Sequence, residues 1–540
     1  MEPGPNRWQS IALFDAPQVA FLAVAVATAS AASDPQSARE SVAWLTGCVA
    51  VALGIGHFAQ SRLARQIVVA TIVAAASIGA LYFVTQFSSL AVPDKIPQLE
   101  AIGRFVSAPW PRAIIWAPFP NSLATLLEGL FLLAVGAAAD ARRAVARLLF
   151  GLAVAIVGLA LLLTMSRGAW LAVACGAVVW VVVATFPRRP RFVVPIAALL
   201  TLLAIGIAMT WQPGLAFFER TAALAGDALI RPDRIDIYRK SISLLDDVGV
   251  AGLGPGGQFA LPYARFALVI QVPFVTYPHH LTFHVWLAYG IAGIIAMTWM
   301  VGGVAAAVAT AERQQVSGTF RGAWCGLVAV LVHGLSDARQ AVDVWTWATF
   351  FLLSALVAAR HRQTGNRLAR PVIGSLCAAL VIVLVIGAAR FWPVEAAWHT
   401  RQGLIAEAQA AAPGLARTPL DLEKAAAMEY AHAIDVDARN AGARRRLALI
   451  SADRGDFAAA FAHATAALQA DPDGYATRKI AGLVATWAGH LEIANALLRP
   501  IPGVTDELQT WAAAWRDRGQ GDAAVYCTRL ASQLSGTGER

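Results

Sequence analysis

The chain has 540 residues, of which 58% are hydrophobic and only 14% are charged, with a formal net charge of +9. Soluble proteins are charged at about a quarter of their positions, so this composition excludes a soluble enzyme, a disordered tail and a DNA-binding protein. Residues 1–390 carry 28 basic and 17 acidic residues, a net +11, whereas residues 391–540 carry 15 and 17, a net −2. We therefore expect a polytopic membrane domain, residues 1–391, followed by a soluble domain, residues 392–540.

Apolar runs of about 20 residues, long enough to cross a bilayer, recur throughout the first domain. They predict about eleven transmembrane helices, at residues 16–32, 41–58, 67–85, 121–139, 147–165, 168–186, 192–211, 287–309, 322–336, 341–359 and 371–391. The ninth run is short and contains His333. The predicted fold class is therefore all-α, with a helical membrane domain.

The placement of arginines predicts the orientation. If the N-terminus is cytoplasmic, fourteen arginines lie in loops on that side: Arg62, Arg65, Arg142, Arg143, Arg147, Arg188, Arg189, Arg191, Arg313, Arg321, Arg360, Arg362, Arg367 and Arg370. The short loops on the opposite side contain only Arg39, Arg167 and Arg339. Cytoplasmic loops carry an excess of basic residues, so we expect a cytoplasmic N-terminus. The long loops 86–120 and 212–280 and the C-terminal domain then lie outside the cytoplasm.

The C-terminal domain contains an internal repeat. Three pairs of like residues are each 34 positions apart: Asp437 and Asp471, Gly455 and Gly489, and Ala460 and Ala494. This is the period of tetratricopeptide repeats, which are stacked helix pairs. We predict two repeats, completed or capped by helical flanks at about 402–434 and 506–534. Because no constellation of catalytic residues appears there, we interpret the domain as a scaffold surface for a protein partner or an acceptor.

Two arginines on the non-cytoplasmic side are candidates for binding an anion. Arg167 interrupts the apolar run LLLTMSRGAWLAV, a position typical of a functional arginine or of one that reaches the headgroups. Arg234 stands at the start of a predicted amphipathic helix, because apolar residues recur at helical spacing from Ile235 to Leu245. The GLGPGGQF segment that follows is a tight turn or a weak phosphate-binding motif. A guanidinium group can donate two parallel hydrogen bonds to phosphate oxygens. The two arginines therefore suggest a ligand that contains a lipid-linked phosphate or pyrophosphate.

Three histidines, His279, His280 and His284, lie where the chain enters the eighth predicted span. An imidazole titrates near neutral pH and can act as a general base. His280 and His284 are four residues apart and share a helix face, so they are also a candidate metal pair, although no carboxylate nearby completes the shell. Polar histidines at the membrane interface are the third interpretation. We predict a base among the three, and neither a metal nor another cofactor.

These segments resemble a known family. The SRGAW turn, the R-x-x-x-Y helix followed by GLGPGGQF, and HHLTFHVWLAYGIAG occur in the order and spacing of the bacterial O-antigen ligase/polymerase superfamily. APFPNSLATLL at 117–127 resembles that family's Pro-Asn segment, and the resemblance covers about residues 100–345. It implies a GT-C-type glycosyltransferase of the bacterial inner membrane. Such an enzyme transfers a glycan from undecaprenyl pyrophosphate to an acceptor hydroxyl on the periplasmic face, with inversion and without nucleotide sugar or metal.

The resemblance also implies which residues bind the substrate. Arg167 matches the family's SRG arginine. Arg234 matches the arginine that opens the R-x-x-x-W helix, and Tyr238 stands in the place of the tryptophan. The implied role of both arginines is to bind the pyrophosphate and to stabilise the charge that builds on it as it leaves. Asn121, in the Pro-Asn segment, joins this substrate-binding set.

The implied catalytic base is one of two neighbouring histidines. His279 falls on the histidine of the family's H-N-x-x-L-Q motif, by its eleven-residue distance to Gly290. This sequence departs from the motif, because His280 occupies the place of the asparagine and His284 that of the glutamine. Either His279 or His280 is therefore the candidate base that activates the acceptor hydroxyl.

Several functions remain open at this point. The acceptor is a lipid A-core sugar in a ligase, the growing glycan in a polymerase, or a protein hydroxyl in a protein O-oligosaccharyltransferase, and we favour a glycan or glycolipid. A lipid-linked glycan transporter or flippase is the alternative of another class. It predicts polar residues through several spans, whereas the predicted spans are nearly free of charge, with Glu128 as the main exception. A pure scaffold would leave the arginines and histidines unexplained.

Overall fold

A computed structural model describes residues 10–90, 95–113, 115–185, 216, 232–270, 274–310, 316–364, 393–411 and 419–535. Within these residues the regular elements are helices and no β-strand occurs, which confirms the predicted all-α fold class. The first part forms helices α1 (Ala16–Ala29), α2 (Pro35–Phe58), α3 (Arg62–Gln86), α4 (Pro97–Ser107), α5 (Pro120–Asp140), α6 (Ala144–Leu163), α7 (Arg167–Thr185), α8 (Pro232–Val248), α9 (Leu281–Thr310), α10 (Gly318–Gly334) and α11 (Trp347–Thr364).

Six helical stretches in the described chain are long and apolar enough to cross a membrane. They are Ile11–Ala29, Pro35–Phe58, Arg62–Ser89, Pro120–Asp140, Ala144–Leu163 and Leu281–Val308. These stretches correspond to the first five predicted spans and to the eighth, and Arg167–Val182, in the sixth, is a shorter apolar helix. The chain is therefore a multi-pass membrane protein.

The other predicted spans have different outcomes. The ninth and tenth correspond to α10 and α11, which are helical but fall short of the length or the apolar composition of a membrane-crossing helix. The seventh and eleventh, residues 192–211 and 371–391, lie outside the described residues. The total of eleven spans therefore stays a prediction.

Helices α5 and α10 pack closely against each other. A Cβ atom added to Gly326 of α10 would lie 2.7 Å from the carbonyl oxygen of Gly129 of α5, and small residues permit such close approach between membrane helices. The end of α5 also holds the start of α10. Asp140 accepts hydrogen bonds from the backbone N–H groups of Gly318 and Thr319 at 2.7 and 2.8 Å. These contacts fix α10 and the polar segment that follows it.

Helix α9 is interrupted at Gly290, whose φ of 66° and ψ of −165° are not helical. The glycine-rich turn of GLGPGGQF occupies this break. The backbone N–H groups of Leu253 and Gly254 donate to the carbonyl oxygens of Leu287 and Ala288 at 2.7 and 2.9 Å. Because these two N–H groups are bonded to α9, they are not presented to a phosphate. The turn serves to dock the loop on α9.

The C-terminal part consists of consecutive helix pairs, from α12 to α19. They are α12 (Val394–Ala410), α13 (Pro419–Val436), α14 (Ala441–Asp453), α15 (Phe457–Ala470), α16 (Tyr475–Trp487), α17 (Leu491–Leu498), α18 (Val504–Asp517) and α19 (Gly521–Ser535). Gly455 and Gly489 turn the chain within two successive pairs, with φ values of 78° and 85°. Ala460 and Ala494 are both fully buried. The 34-residue period thus corresponds to two similar helix pairs, while the tetratricopeptide assignment and the domain boundary stay predictions.

These C-terminal helices pack on the segment between α7 and α9. Lys479 donates a hydrogen bond to the carbonyl oxygen of Leu268 at 2.7 Å, and Arg401 donates to that of Gly252 at 2.6 Å. Val269 is buried in the apolar cluster of the C-terminal helices. The loop that carries α8 is therefore held between the membrane helices and the C-terminal helices.

Candidate functional site

Helix α8 carries two of the predicted site residues in its first two turns. Its predicted amphipathic pattern is confirmed, since Tyr238, Ile242 and Leu245 are at most 2% exposed. The Arg234 side chain, in the first turn, remains 23% exposed. Its guanidinium donates a hydrogen bond to the backbone carbonyl of Ser336, in the segment after α10. Because the apolar face of α8 is buried, Arg234 lies at the border between the buried and the exposed face of this helix, beside the segment after α10.

The carboxylate of Asp337 connects four segments of the chain. Its Oδ2 atom accepts a hydrogen bond from Asn121 Nδ2 at 2.8 Å and lies 3.5 Å from Arg234 Nη2. Its Oδ1 atom accepts one from the hydroxyl of Tyr277 at 2.8 Å and lies 3.3 Å from His279 Nδ1. The structure therefore brings together Arg234, His279 and Asn121, which the sequence assigned to one site from three distant motifs.

Asp337 is ionised at neutral pH although its side chain is only 3% exposed. Burial acts to raise the pKa of this carboxyl, but the hydrogen bond to His279 and the charges of Arg234 and His333 outweigh burial. The pKa of Asp337 is thus held below its ordinary value. A carboxylate that binds one imidazole nitrogen orients the ring and stabilises its protonated form, as in hydrolase triads.

His279 is held in an uncommon backbone conformation, with a φ of 53°. The hydroxyl of Tyr238 donates to the carbonyl oxygen of His279 at 3.1 Å, and the ring of Tyr277 lies 3.9 Å away between centroids. The imidazole is 22% exposed, and Nε2 has no hydrogen-bond partner in the part of the chain that the structure describes. Strained residues of this kind concentrate at functional sites. Nε2 is therefore the nitrogen left to accept a proton.

His280 points into the core instead. Its side chain is fully buried between the rings of Tyr238 and Phe283, at centroid distances of 5.3 and 5.1 Å. His284, one turn later, is also buried. Among the described residues, no third histidine, cysteine or carboxylate joins this pair in a group that could hold a metal. Of the two candidate bases, His279 is thus the one whose ring is partly exposed.

Arg167 is exposed at the first residue of α7. Met165, with a φ of 51°, makes the sharp turn between α6 and α7. Gly168 packs against the segment after α10, because a Cβ atom there would lie 3.0 Å from Ser336 Oγ. Since the carbonyl of Ser336 also accepts the hydrogen bond from Arg234, both arginine-bearing turns adjoin the same short segment. Arg167 has no ion pair or hydrogen-bond partner for its side chain within the described ranges.

A second polar cluster, centred on Arg339, supports the first. The Arg339 guanidinium donates to Ser122 Oγ at 2.7 Å, to the hydroxyl of Tyr277 at 3.0 Å and to Asp343 Oδ2 at 2.6 Å. These bonds place Tyr277 so that its own hydroxyl donates to Asp337. Because all three nitrogens of this guanidinium donate to protein partners, unlike those of Arg234, we interpret Arg339 as a structural residue of the site rather than as a phosphate ligand.

The sequence patterns did not single out Asp337 or Tyr277, and Arg339 entered only the count of loop arginines. A signal was present in LSDARQAVD, a polar and charged stretch directly after the ninth predicted span. This stretch lies on the same predicted side of the membrane as Arg167. No periodicity or spacing in it, however, indicates which distant residues its carboxylate will contact.

Comparison with known proteins agrees with the resemblance. The family model described as O-Antigen ligase matches residues 152–298. This segment contains Arg167, Arg234, Tyr238, His279 and His280, whereas Asp337 lies beyond it. No curated protein and no solved structure shows a significant match to the chain. The match confirms, over residues 152–298, the predicted resemblance to the O-antigen ligase/polymerase superfamily.

Proposed function

We propose that this protein transfers a glycan from undecaprenyl pyrophosphate to an acceptor hydroxyl, with inversion at the anomeric carbon. The family match supports an enzyme of surface-glycan processing that takes a lipid-linked glycan. The observation that carries the proposal further is the carboxylate of Asp337, within 3.5 Å of both Arg234 and His279. This arrangement supports a site in which Arg234 binds phosphate and His279 accepts a proton, the two functions that glycan transfer from a pyrophosphate requires.

In the proposed reaction, Arg167 and Arg234 bind the pyrophosphate oxygens. The acceptor hydroxyl attacks the anomeric carbon from the side opposite the pyrophosphate. A carbon–oxygen bond to the acceptor forms while the bond to the phosphate oxygen breaks, and the electron pair of that bond leaves with undecaprenyl pyrophosphate. The guanidinium groups stabilise the growing negative charge on the leaving group.

We assign the proton acceptor in this reaction to His279. The acceptor hydroxyl gives its proton to Nε2, while Nδ1 faces the carboxylate of Asp337 at 3.3 Å. The negative carboxylate stabilises the imidazolium that forms. His280 is assigned a packing role, since its ring is enclosed by Tyr238 and Phe283. Tyr238 supports His279 through the backbone, because its hydroxyl bonds the carbonyl oxygen of that residue.

We further propose that the site faces the periplasm in the bacterial inner membrane, with the N-terminus in the cytoplasm. The excess of arginines in alternate loops supports this orientation. The polar side chains of the site also gather at the ends of helices rather than along them. Arg167 begins α7, Arg234 lies in the first turn of α8, and Asp337 follows the end of α10. This arrangement favours chemistry at one membrane face over passage of the glycan through the protein.

The acceptor is proposed to be a glycan or glycolipid, as in O-antigen ligation or polymerisation. Deletion of the gene distinguishes the possibilities. Loss of the lipopolysaccharide ladder with accumulation of carrier-linked polymer indicates a ligase, and caps of single repeat units indicate a polymerase. A normal ladder with an unglycosylated protein would contradict a glycan acceptor and indicate a protein O-oligosaccharyltransferase. Movement of labelled carrier in proteoliposomes without any glycan product would contradict transfer altogether.

A further inference from the structure

A histidine-rich cluster lies outside the candidate transfer site, on the first helix pair of the C-terminal part. It consists of His399 on α12 and of Glu429 and His432 on α13. Glu429 and His432 are three residues apart, so their side chains share one face of the helix. We propose that these three residues bind one Zn²⁺ ion.

The three side chains are already close enough to share an ion. One ligand atom from each lies within 4.8 Å of those of the other two. His399 Nδ1 and Glu429 Oε2 are 2.7 Å apart, and the rings of His399 and His432 have centroids 5.5 Å apart with an interplanar angle of 76°. The two rings are thus nearly perpendicular, and a ring nitrogen of each lies within 4.8 Å of the other and of a Glu429 carboxylate oxygen.

The chemistry of the ligands selects the kind of metal. Two imidazole nitrogens and one carboxylate oxygen are a common protein ligand set for Zn²⁺, with a fourth position left for water. Mg²⁺ and Ca²⁺ prefer oxygen ligands alone. A simple ion pair accounts for the contact between His399 and Glu429 but not for the position of His432 beside them. A metal ion bound by all three residues accounts for both. The partial exposure of the cluster leaves a path for the metal and for water.

The helices beneath the cluster are packed tightly, which fixes the ligands before a metal binds. Gly403 of α12 lies directly against the ring of Tyr430, the residue after Glu429, so that no Cβ atom would fit there. Thr400, the residue after His399, accepts a hydrogen bond from Asn440 Nδ2 at 2.8 Å. A metal site with ligands held by their surroundings binds with less loss of side-chain entropy.

Zinc at this position would join α12 to α13, at the start of the C-terminal helices. Helix α12 also holds the glycine-rich turn, through the hydrogen bond from Arg401 to Gly252. A ligand that binds only the folded state stabilises it, by an amount that grows with the logarithm of the ligand concentration relative to Kd. The proposed ion would link two helices of the C-terminal part, and the site belongs to different helices from Arg234 and His279.

The test measures zinc binding by the purified full chain in detergent, prepared with a tag other than polyhistidine and stripped of metal beforehand. Titration with Zn²⁺ against a chromophoric chelator gives stoichiometry and affinity. We expect one tightly bound Zn²⁺ per chain. Glu429→Gln and His432→Ala should each weaken it about tenfold or more, since even the loss of an outer-shell partner carries a cost of that size. His432 is exposed, so its truncation should leave the fold intact.

His463→Ala is the matched control, because His463 lies on α15 in the same part of the chain but outside the cluster. It should bind zinc like the wild type. X-ray absorption should find two imidazole nitrogens on the bound zinc in the wild type and one in His432→Ala. Absence of saturable binding in the wild type would overturn the proposal. Equal stoichiometry and affinity in the wild type, Glu429→Gln and His432→Ala would also overturn it.

Discussion

Arg445 of α14 donates hydrogen bonds to both carboxylate oxygens of Asp247, at 2.6 and 2.8 Å, and both side chains are about 5% exposed. Asp247 lies near the end of α8, the helix that begins beside Arg234. The same guanidinium also donates to Thr477 Oγ1 at 2.8 Å. The C-terminal helices are therefore attached to the helix that carries a proposed pyrophosphate ligand, and they are part of its support.

Arg445→Met should destabilise the folded protein strongly. The substitution leaves the carboxylate of Asp247 buried without its partner, which costs about 3–5 kcal/mol. Arg518→Met is the matched control, because the Arg518–Asp453 pair lies in the same part of the chain but both side chains are about half exposed. Exposed pairs contribute about 0–1 kcal/mol. Thermal unfolding in detergent measures both, and equal midpoints for the two variants would show that the Asp247 contact does not anchor α8.

Gly252→Ala should disrupt docking of the glycine-rich turn on α9. Gly252 has a φ of 70°, and a Cβ atom there would lie 2.6 Å from the carbonyl oxygen of Ala288 and from the N–H nitrogen of Gly290. Left-handed strain costs about 1–2 kcal/mol, and overpacking costs about 1–3 kcal/mol. Gly257→Ala in the same motif is the control, since its nearest neighbour would be Ser37 Oγ at 3.9 Å. Unfolding midpoints should fall for Gly252→Ala alone, and an unchanged midpoint for it would contradict this role of the turn.

Local features of the fold were predictable from the sequence, because they depend on neighbouring residues. The apolar runs predicted the long membrane helices, and the apolar positions from Ile235 to Leu245 predicted α8 with Arg234 at its start. The resemblance placed Arg167, Arg234 and His279 in one site. These features follow from helical periodicity or from short motifs, and both are visible in a single sequence.

The arrangement around Asp337 was not predictable in the same way. Its carboxylate is joined to Asn121 and Tyr277, which are 216 and 60 residues away in sequence, and no pattern links such distant positions. The sequence also did not show whether His279 or His280 is the candidate base, because the two histidines are adjacent in one motif. The structure shows His279 in a left-handed conformation with its carbonyl bonded to Tyr238 and shows the His280 ring buried, and neither feature is visible in the sequence. The attachment of Arg445 to Asp247 is likewise a contact between distant segments.

The carboxylate of Asp337 should stabilise the protein in a pH-dependent manner. Its folded-state pKa is below the ordinary value of about 3.9, so its contribution is fully present above that pH and is lost as pH falls below it. Thermal unfolding of the wild type and Asp337→Asn should therefore differ most at pH 5 to 7. The difference between their midpoints should shrink below about pH 4. A difference that grows towards low pH would contradict an ionised Asp337.

Removal of metal ions by a chelator should affect the proposed zinc site but not the proposed transfer site. In the proposed reaction arginines, and not a metal ion, bind the pyrophosphate. EDTA should therefore leave glycan transfer intact while it removes zinc from the cluster of His399, Glu429 and His432. The double variant His399→Ala/His432→Ala is the control, because it lacks two of the three proposed zinc ligands. EDTA should change its rate of glycan transfer no more than it changes that of the wild type. Loss of transfer on chelation in this double variant would place a metal at the transfer site and contradict the proposed mechanism.

The most direct test of the account is the initial rate of transfer in vitro, with purified undecaprenyl-pyrophosphate glycan and purified variants whose folding is verified by thermal unfolding. General-base groups contribute about 10²–10⁴-fold to rates, so His279→Ala should lose at least about 100-fold. Arg167→Ala changes an exposed side chain that has no ion-pair or hydrogen-bond partner among the described residues, so it should lose transfer while its stability is unchanged. Full activity in both Arg167→Ala and His279→Ala would contradict the proposed site.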